Sequence, residues 1–115
     1  MTKIIMKFSP EELIRIYSGK QKYIARTKLP RHDVNLIVPF KCYCKSNKVF
    51  IVKEIKGNKK DVWHKVKGKI GMNIITYSKF TYHKPEIKLY EIEKIIEKDV
   101  DYEPTRDFNG SFMYI

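Results

Sequence analysis

Ser9-Pro10-Glu11-Glu12-Leu13-Ile14-Arg15-Ile16-Tyr17-Ser18-Gly19 decides how this chain is read. Ser9 is placed to cap a helix, Pro10 supplies the φ that a first turn requires, and Glu12 at the third helical position completes a capping box. Leu13, Ile16 and Tyr17, with Ile14 at the edge, recur at spacings of three and four and so bury one face. Gly19 stands where a left-handed residue ends a helix. The stretch predicts one short helix, from Pro10 to Ser18.

Before that helix, Ile4, Ile5, Met6 and Phe8 read as a first strand over residues 3–8. After it the period changes. Lys20, Lys22, Ile24, Arg26 and Lys28 alternate with Gln21, Tyr23, Ala25 and Thr27, as in a strand with one polar and one more apolar face, and Pro30 ends it. Residues 31–39 read as a loop, Phe40 to Lys45 as a strand, Ser46-Asn47-Lys48 as a turn, Val49 to Ile55 as a strand, and Lys56-Gly57-Asn58-Lys59 as a second turn. Val62 to Val66 stays open between strand and loop. Gly68 to Tyr77, carrying Ile70, Met72, Ile74 and Ile75, reads as a buried strand that Lys79 to His83 extends or reverses. Leu89, Ile92, Ile95 and Ile96 predict a second helix from Glu86 to Lys98, and Ser111 to Ile115 a closing strand. Many short strands, a helix directly after the first and another near the C-terminus predict an α+β fold. Its form is a small mixed β-barrel with helices at its ends, in one domain over residues 1–115.

A chain of 115 residues, 43% hydrophobic, with eight Tyr, six Phe and one Trp, has the composition of one globular core. No apolar run approaches the roughly 20 residues that span a bilayer, and the N-terminus lacks the apolar stretch of about 7–15 residues of a signal peptide. A cytoplasmic protein with no membrane partner is expected. Cys42 and Cys44 sit two apart in a predicted strand, on one face, poorly placed to bridge each other, and are expected to be reduced. A Cys-x-Cys pair with only His32, His64 and His83 elsewhere lacks the second ligand pair of a metal site, so neither metal nor cofactor is expected.

The formal charge is +11, and its distribution says more than its size. Between Lys20 and Lys69 fifteen Lys or Arg face three acids, Asp33, Glu54 and Asp61; between Glu86 and Asp107 four bases face eight acids. A basic field of this kind attracts polyanions and supplies the sequence-independent part of nucleic-acid affinity. The same twenty Lys and sixteen Ile also fit the codon bias of an AT-rich genome, so charge alone does not decide the matter.

The segment Gly19-Lys20-Gln21-Lys22-Tyr23-Ile24-Ala25-Arg26, preceded by Pro10-Glu11-Glu12-Leu13-Ile14, resembles the ASCH domains of the PUA-like superfamily. Pro39-Phe40-Lys41-Cys42-Tyr43-Cys44, Gly68-Lys69-Ile70-Gly71, Tyr77 to Pro85 and Thr105-Arg106 with Ser111 to Ile115 resemble further family stretches in the right order, the last one an ending like that of phage and Firmicute members. The resemblance implies a PUA-like barrel with a cleft that binds RNA. In acetylcytidine-hydrolysing relatives the loop reads Gly-x-Lys-x-x-Thr-x-Arg, its Lys and Thr acting beside a Glu. Here Gly19 and Arg26 match, but Gln21 and Ile24 replace the Lys and Thr. Neither an amide nor an isoleucine can serve as nucleophile or base, so no catalytic residue is assigned.

Arg26 is the first candidate contact, because its planar fork of five donors suits phosphates and base edges. An internal ion pair is the structural alternative. Lys20, Lys22 and Lys28 share its strand face, Lys41, Lys67 and Lys69 belong to neighbouring strands, and Arg31 to the adjoining loop. Tyr23, among these cations, is a candidate for stacking on an unpaired base, against core packing; Trp63 carries the same two readings. The expected function is a non-catalytic nucleic-acid-binding domain, with RNA favoured over DNA, acting as a monomer. Its competitors are an enzyme on RNA or nucleosides using His64 or His83, and a phage-like accessory factor whose basic face meets a protein or ribonucleoprotein.

Overall fold

The computed structural model describes residues 2–40, 48–98 and 112–114. β1 (Thr2–Lys7) leads into α1 (Pro10–Tyr17), then β2 (Tyr23–Ile24), β3 (Val34–Phe40), β4 (Lys48–Asn58), α2 (Lys59–Val66), α3 (Ile74–Phe80), β5 (Glu86–Glu97) and β6 (Phe112–Tyr114). The strands form one sheet in the order β2-β5-β4-β3-β1-β6, parallel between β1 and β3 and antiparallel elsewhere. This is the expected α+β, PUA-like plan. The edge strands β2 and β6 do not pair with each other among the described residues, so the sheet there is a curled ribbon with two ends.

Neighbouring residues of β2 point to opposite faces, and each face has its own core. Ile24 joins Ile4, Met6, Leu13, Ile16, Phe50, Tyr90 and Ile92 under α1. Tyr23 joins Ile55, Val62, Val66, Tyr77 and Leu89 under α2 and α3. Ile5, Leu36, Val38, Phe40 and Val49 make a third cluster. Burying Leu13 and Ile16 fixes α1 on its face, at about 1.5–3 kcal/mol for each side chain.

The predicted start and stop of α1 are present. Ser9 Oγ accepts from the Glu12 N–H at 3.1 Å, Gly19 has φ +79°, and the Lys20 N–H reaches Arg15 O at 2.9 Å in a Schellman closure. The second half of the capping box is replaced, since the Glu12 carboxylate turns to Arg26, where two charge-assisted bonds outweigh one backbone N–H.

Several expected elements differ. The predicted helix over Glu86 to Lys98 is the long strand β5, whose registry with β4 shifts between Ile51 and Val52. Phe50 faces Ile95 and Val52 faces Ile92, so two residues on β4 match three on β5 and Glu93 is the extra one. The bulge puts Ile92 and Ile95 on one face three residues apart, which imitates a helical spacing. Residues 34–39, expected as loop, are most of β3. The strand expected over Gly68 to Tyr77 is a turn followed by α3, which begins where Asn73 Oδ1 accepts from the Thr76 N–H at 2.9 Å. Val62 to Val66, left between strand and loop, is helical, and the turn expected at Lys56 to Lys59 is the end of β4 running straight into α2, capped by Asn58. Of the strand predicted from Lys20 to Lys28, Tyr23 and Ile24 alone join the ladder. The Phe40 to Lys45 strand after its first residue, with Lys41 and both cysteines, lies outside the described residues.

Candidate nucleic-acid interface

Two loops cross between α1 and β5. The N–H groups of Lys22 and Tyr23 both donate to Lys69 O, at 2.7 and 3.2 Å, and Lys22 O accepts from the Ile92 N–H at 2.9 Å. Lys69 Nζ donates to Gly19 O at 3.0 Å, tying the 67–71 turn back onto the end of α1. A cavity of about 340 Å³ opens at this crossing, where β2 stops and β5 runs on alone. Ile16 and Ile92, both buried, make its apolar back. Lys22, Lys69 and Lys94, all exposed, stand at its rim with Glu93. Three ammonium groups against one carboxylate leave the mouth cationic, and the volume is in the range of small-ligand sites, about 300–1,000 Å³.

Behind the cavity lies a polar knot. The Arg26 guanidinium donates to both Glu12 oxygens, at 2.7 and 3.1 Å, and also to Ala25 O and Lys7 O at 2.8 and 3.0 Å. Its plane sits 4.8 Å above the Phe8 ring. Gln21, 3% exposed, donates from Nε2 to Glu12 Oε2 and Tyr23 O, each at 3.0 Å, and accepts from Arg15 Nε at 3.0 Å. Gly71 closes the knot from outside: a Cβ there would lie 2.5 Å from Gln21 Oε1.

The predicted contact residues are thereby divided. Lys20, Lys22, Lys67 and Lys69 are exposed around the crossing, Lys20 between two cavity residues and Lys67 at the end of α2. Arg26 is turned inward, in the ion pair that was its structural alternative. Lys28 and Arg31 are exposed farther along, where Pro30 O accepts from Lys88 Nζ at 3.0 Å, toward the opposite end of β5. Tyr23 is in the core, 6% exposed, its hydroxyl donating to Glu91 Oε1 at 3.2 Å. Burial first, and then the neighbouring Glu91 charge, push its pKa up. Trp63 packs on Tyr77 with ring centres 4.8 Å apart. His64 is exposed on α2 and His83 lies against Tyr82, and among the described residues no three His, Cys, Asp or Glu side chains gather to hold a metal. No helix of the described residues is long and apolar enough to cross a membrane.

Sequence reasoning did not find Glu12, Arg15, Gln21 and Lys94 as parts of this site. Glu12 and Arg15 are three apart and so share a helix face, a usable signal. Lys94 was hidden by the helical assignment of β5.

No family model matches the chain, and no curated protein matches it in sequence. Solved structures do. An ASCH protein from Zymomonas mobilis superposes with a TM-score of 0.70 over 98% of this chain and 87% of its own, at 14% identity. Two point-mutant forms of the Zymomonas mobilis protein give TM-scores of 0.66 and 0.63 at 12% and 13% identity. Nearly the whole chain is covered, in the element order that the sequence motifs indicated. The chain has the fold of the ASCH proteins.

Proposed function

We propose that this domain binds nucleic acid at the lysine-rimmed cavity between α1, the 67–71 turn and β5, as a non-catalytic module. The observation that carries the reading is the convergence of Lys22, Lys69 and Lys94 from three separate segments on one opening with an apolar back. Ammonium groups so placed take phosphates, and the apolar back takes the face of a base or ribose. RNA is favoured over DNA on the resemblance to the ASCH domains. The non-catalytic assignment rests on Gln21, whose amide hydrogen-bonds are spent within the knot, and on Ile24, fully buried in the core.

Titration of labelled single-stranded RNA, duplex RNA and DNA at two salt concentrations tests the reading. Lys22→Ala and Lys69→Ala are each expected to weaken binding and to lower the slope of log affinity against log salt by about one. Absence of measurable affinity for every polymer at low salt would overturn it.

A further inference from the structure

Of the aromatic side chains, Tyr23 and Trp63 are packed away, and Tyr82 follows α3 on the far face of the sheet from α1. Tyr17 is different. It is the last residue of α1, 42% exposed, and its ring leans on buried Phe50 with centres 6.1 Å apart. Phe50 is opposite Ile95 in the sheet, and Ile95 lines the cavity together with Ile16, the residue before Tyr17. Lys48 Nζ lies 4.8 Å from the Tyr17 ring centre, and Ile14, one turn back on α1, is 68% exposed.

The cationic rim therefore continues into a flat apolar shelf: Ile95 at the cavity, then the Tyr17 ring with an ammonium beside it, then Ile14. We infer that Tyr17 is a stacking platform for an unpaired base, so that the ligand is a single strand whose phosphates cross Lys22, Lys69 and Lys94 while one base lies on the tyrosine. This deepens the nucleic-acid reading and rests on it. The charge pattern fits such an occupant. The cations flank the shelf, and the acids nearby, Glu93 at the cavity and Glu97 opposite Lys48, are fewer than the lysines. A paired base keeps its faces inside the duplex and cannot use the ring, whereas every unpaired base presents a π-face to it. Phe50, wholly buried, supports the ring from below, so the platform is held in place before a base arrives.

The test compares a labelled single-stranded RNA of about ten nucleotides with a duplex of the same length, within the site sizes that such surfaces cover. Tyr17→Leu keeps apolar packing on Phe50 but removes the flat face; Tyr17→Phe keeps the face and checks that any loss is not a folding defect. Tyr17→Leu is expected to raise the Kd for the single strand about five- to one-hundred-fold and leave the duplex within about twofold, with Tyr17→Phe near the parent for both. Unchanged single-strand affinity in Tyr17→Leu, or an equal loss on strand and duplex, overturns the platform. Lys22→Ala and Lys69→Ala separate the two levels. If they weaken binding while Tyr17→Leu does not, the platform alone is wrong; if they change nothing for either polymer, the basic-cavity reading fails and the platform with it.

Discussion

Arg26 and Lys22 are four residues apart in one stretch, both cationic and both matched to the same family segment, yet they end in opposite circumstances. The guanidinium is held by a carboxylate, two carbonyls and an aromatic face, with its side chain 17% exposed. The ammonium of Lys22 is at the mouth of a cavity, its backbone pinned by Lys69 and Ile92 while its side chain faces solvent. What separates them is the partner across the gap. Glu12 reaches Arg26 from α1, whereas Lys22 meets two further lysines. A positive charge in this domain is structural where a helix delivers an acid to it and available where it does not.

That contrast predicts a graded set of responses. Arg26→Ala should act on stability and leave any remaining affinity of the folded fraction intact. It strands Glu12 and Gln21, and a loss of about 2–4 kcal/mol in urea unfolding is expected, near or just under the figure for fully buried pairs. An Arg26→Ala protein of parental stability that no longer binds RNA would invert the comparison. Gly71→Ala strikes the knot from the other side. Its φ is +79° and the new Cβ meets Gln21 Oε1 at 2.5 Å, so a loss of about 1–3 kcal/mol is expected, read as a lowered melting temperature.

Glu91 sharpens the contrast through pH. The hydrogen bond from Lys53, 2.9 Å away, is the first cause holding its carboxyl below the ordinary value of 4.5, with the Lys53 charge and the Tyr23 hydroxyl adding to it against the opposing effect of burial. A carboxyl with a lowered folded pKa contributes stability that is fully present above its unfolded value and is lost as the pH falls through the folded one. Urea midpoints followed downward from about pH 6 should therefore fall less steeply in Glu91→Gln than in the parent. The smallest effect is assigned to Lys28→Ala and Arg31→Ala, which lie toward the far end of β5 from the cavity. Each should change RNA affinity by less than about twofold at moderate salt, where charges beyond a screening length contribute little.

The parts of the fold that could be read from the sequence are those governed by neighbours in the chain. Ser9, Pro10 and Gly19 act on backbone groups within one helix, and all three do what their chemistry requires. The segments that misread are governed by partners far away. In β5, Ile87 to Ile92 are almost continuously covered from both faces, which erases alternation, and the bulge at Glu93 then sets apolar residues three apart. The turn before α3 carried its own warning in Gly68 and Gly71, whose φ values of +83° and +79° suit no strand, and in Asn73 as a cap. In the site, Lys22 and Lys69 were legible as cations, but nothing local to Arg26 announced that Glu12, fourteen residues earlier, would hold it.

The extra residue in β5 divides that strand into halves with different obligations. From Ile87 to Ile92 nearly every side chain is load that the two cores share, and a change there must be answered by several neighbours at once. From Glu93 onward the same strand is mostly open to solvent while still anchored to β4 as far as Glu97. Substitutions in the second half can therefore retune the sign and shape of the cavity mouth without disturbing the packing of the first. One insertion in a ladder thus gives the domain a rigid half that keeps the fold and a permissive half on which its specificity can drift.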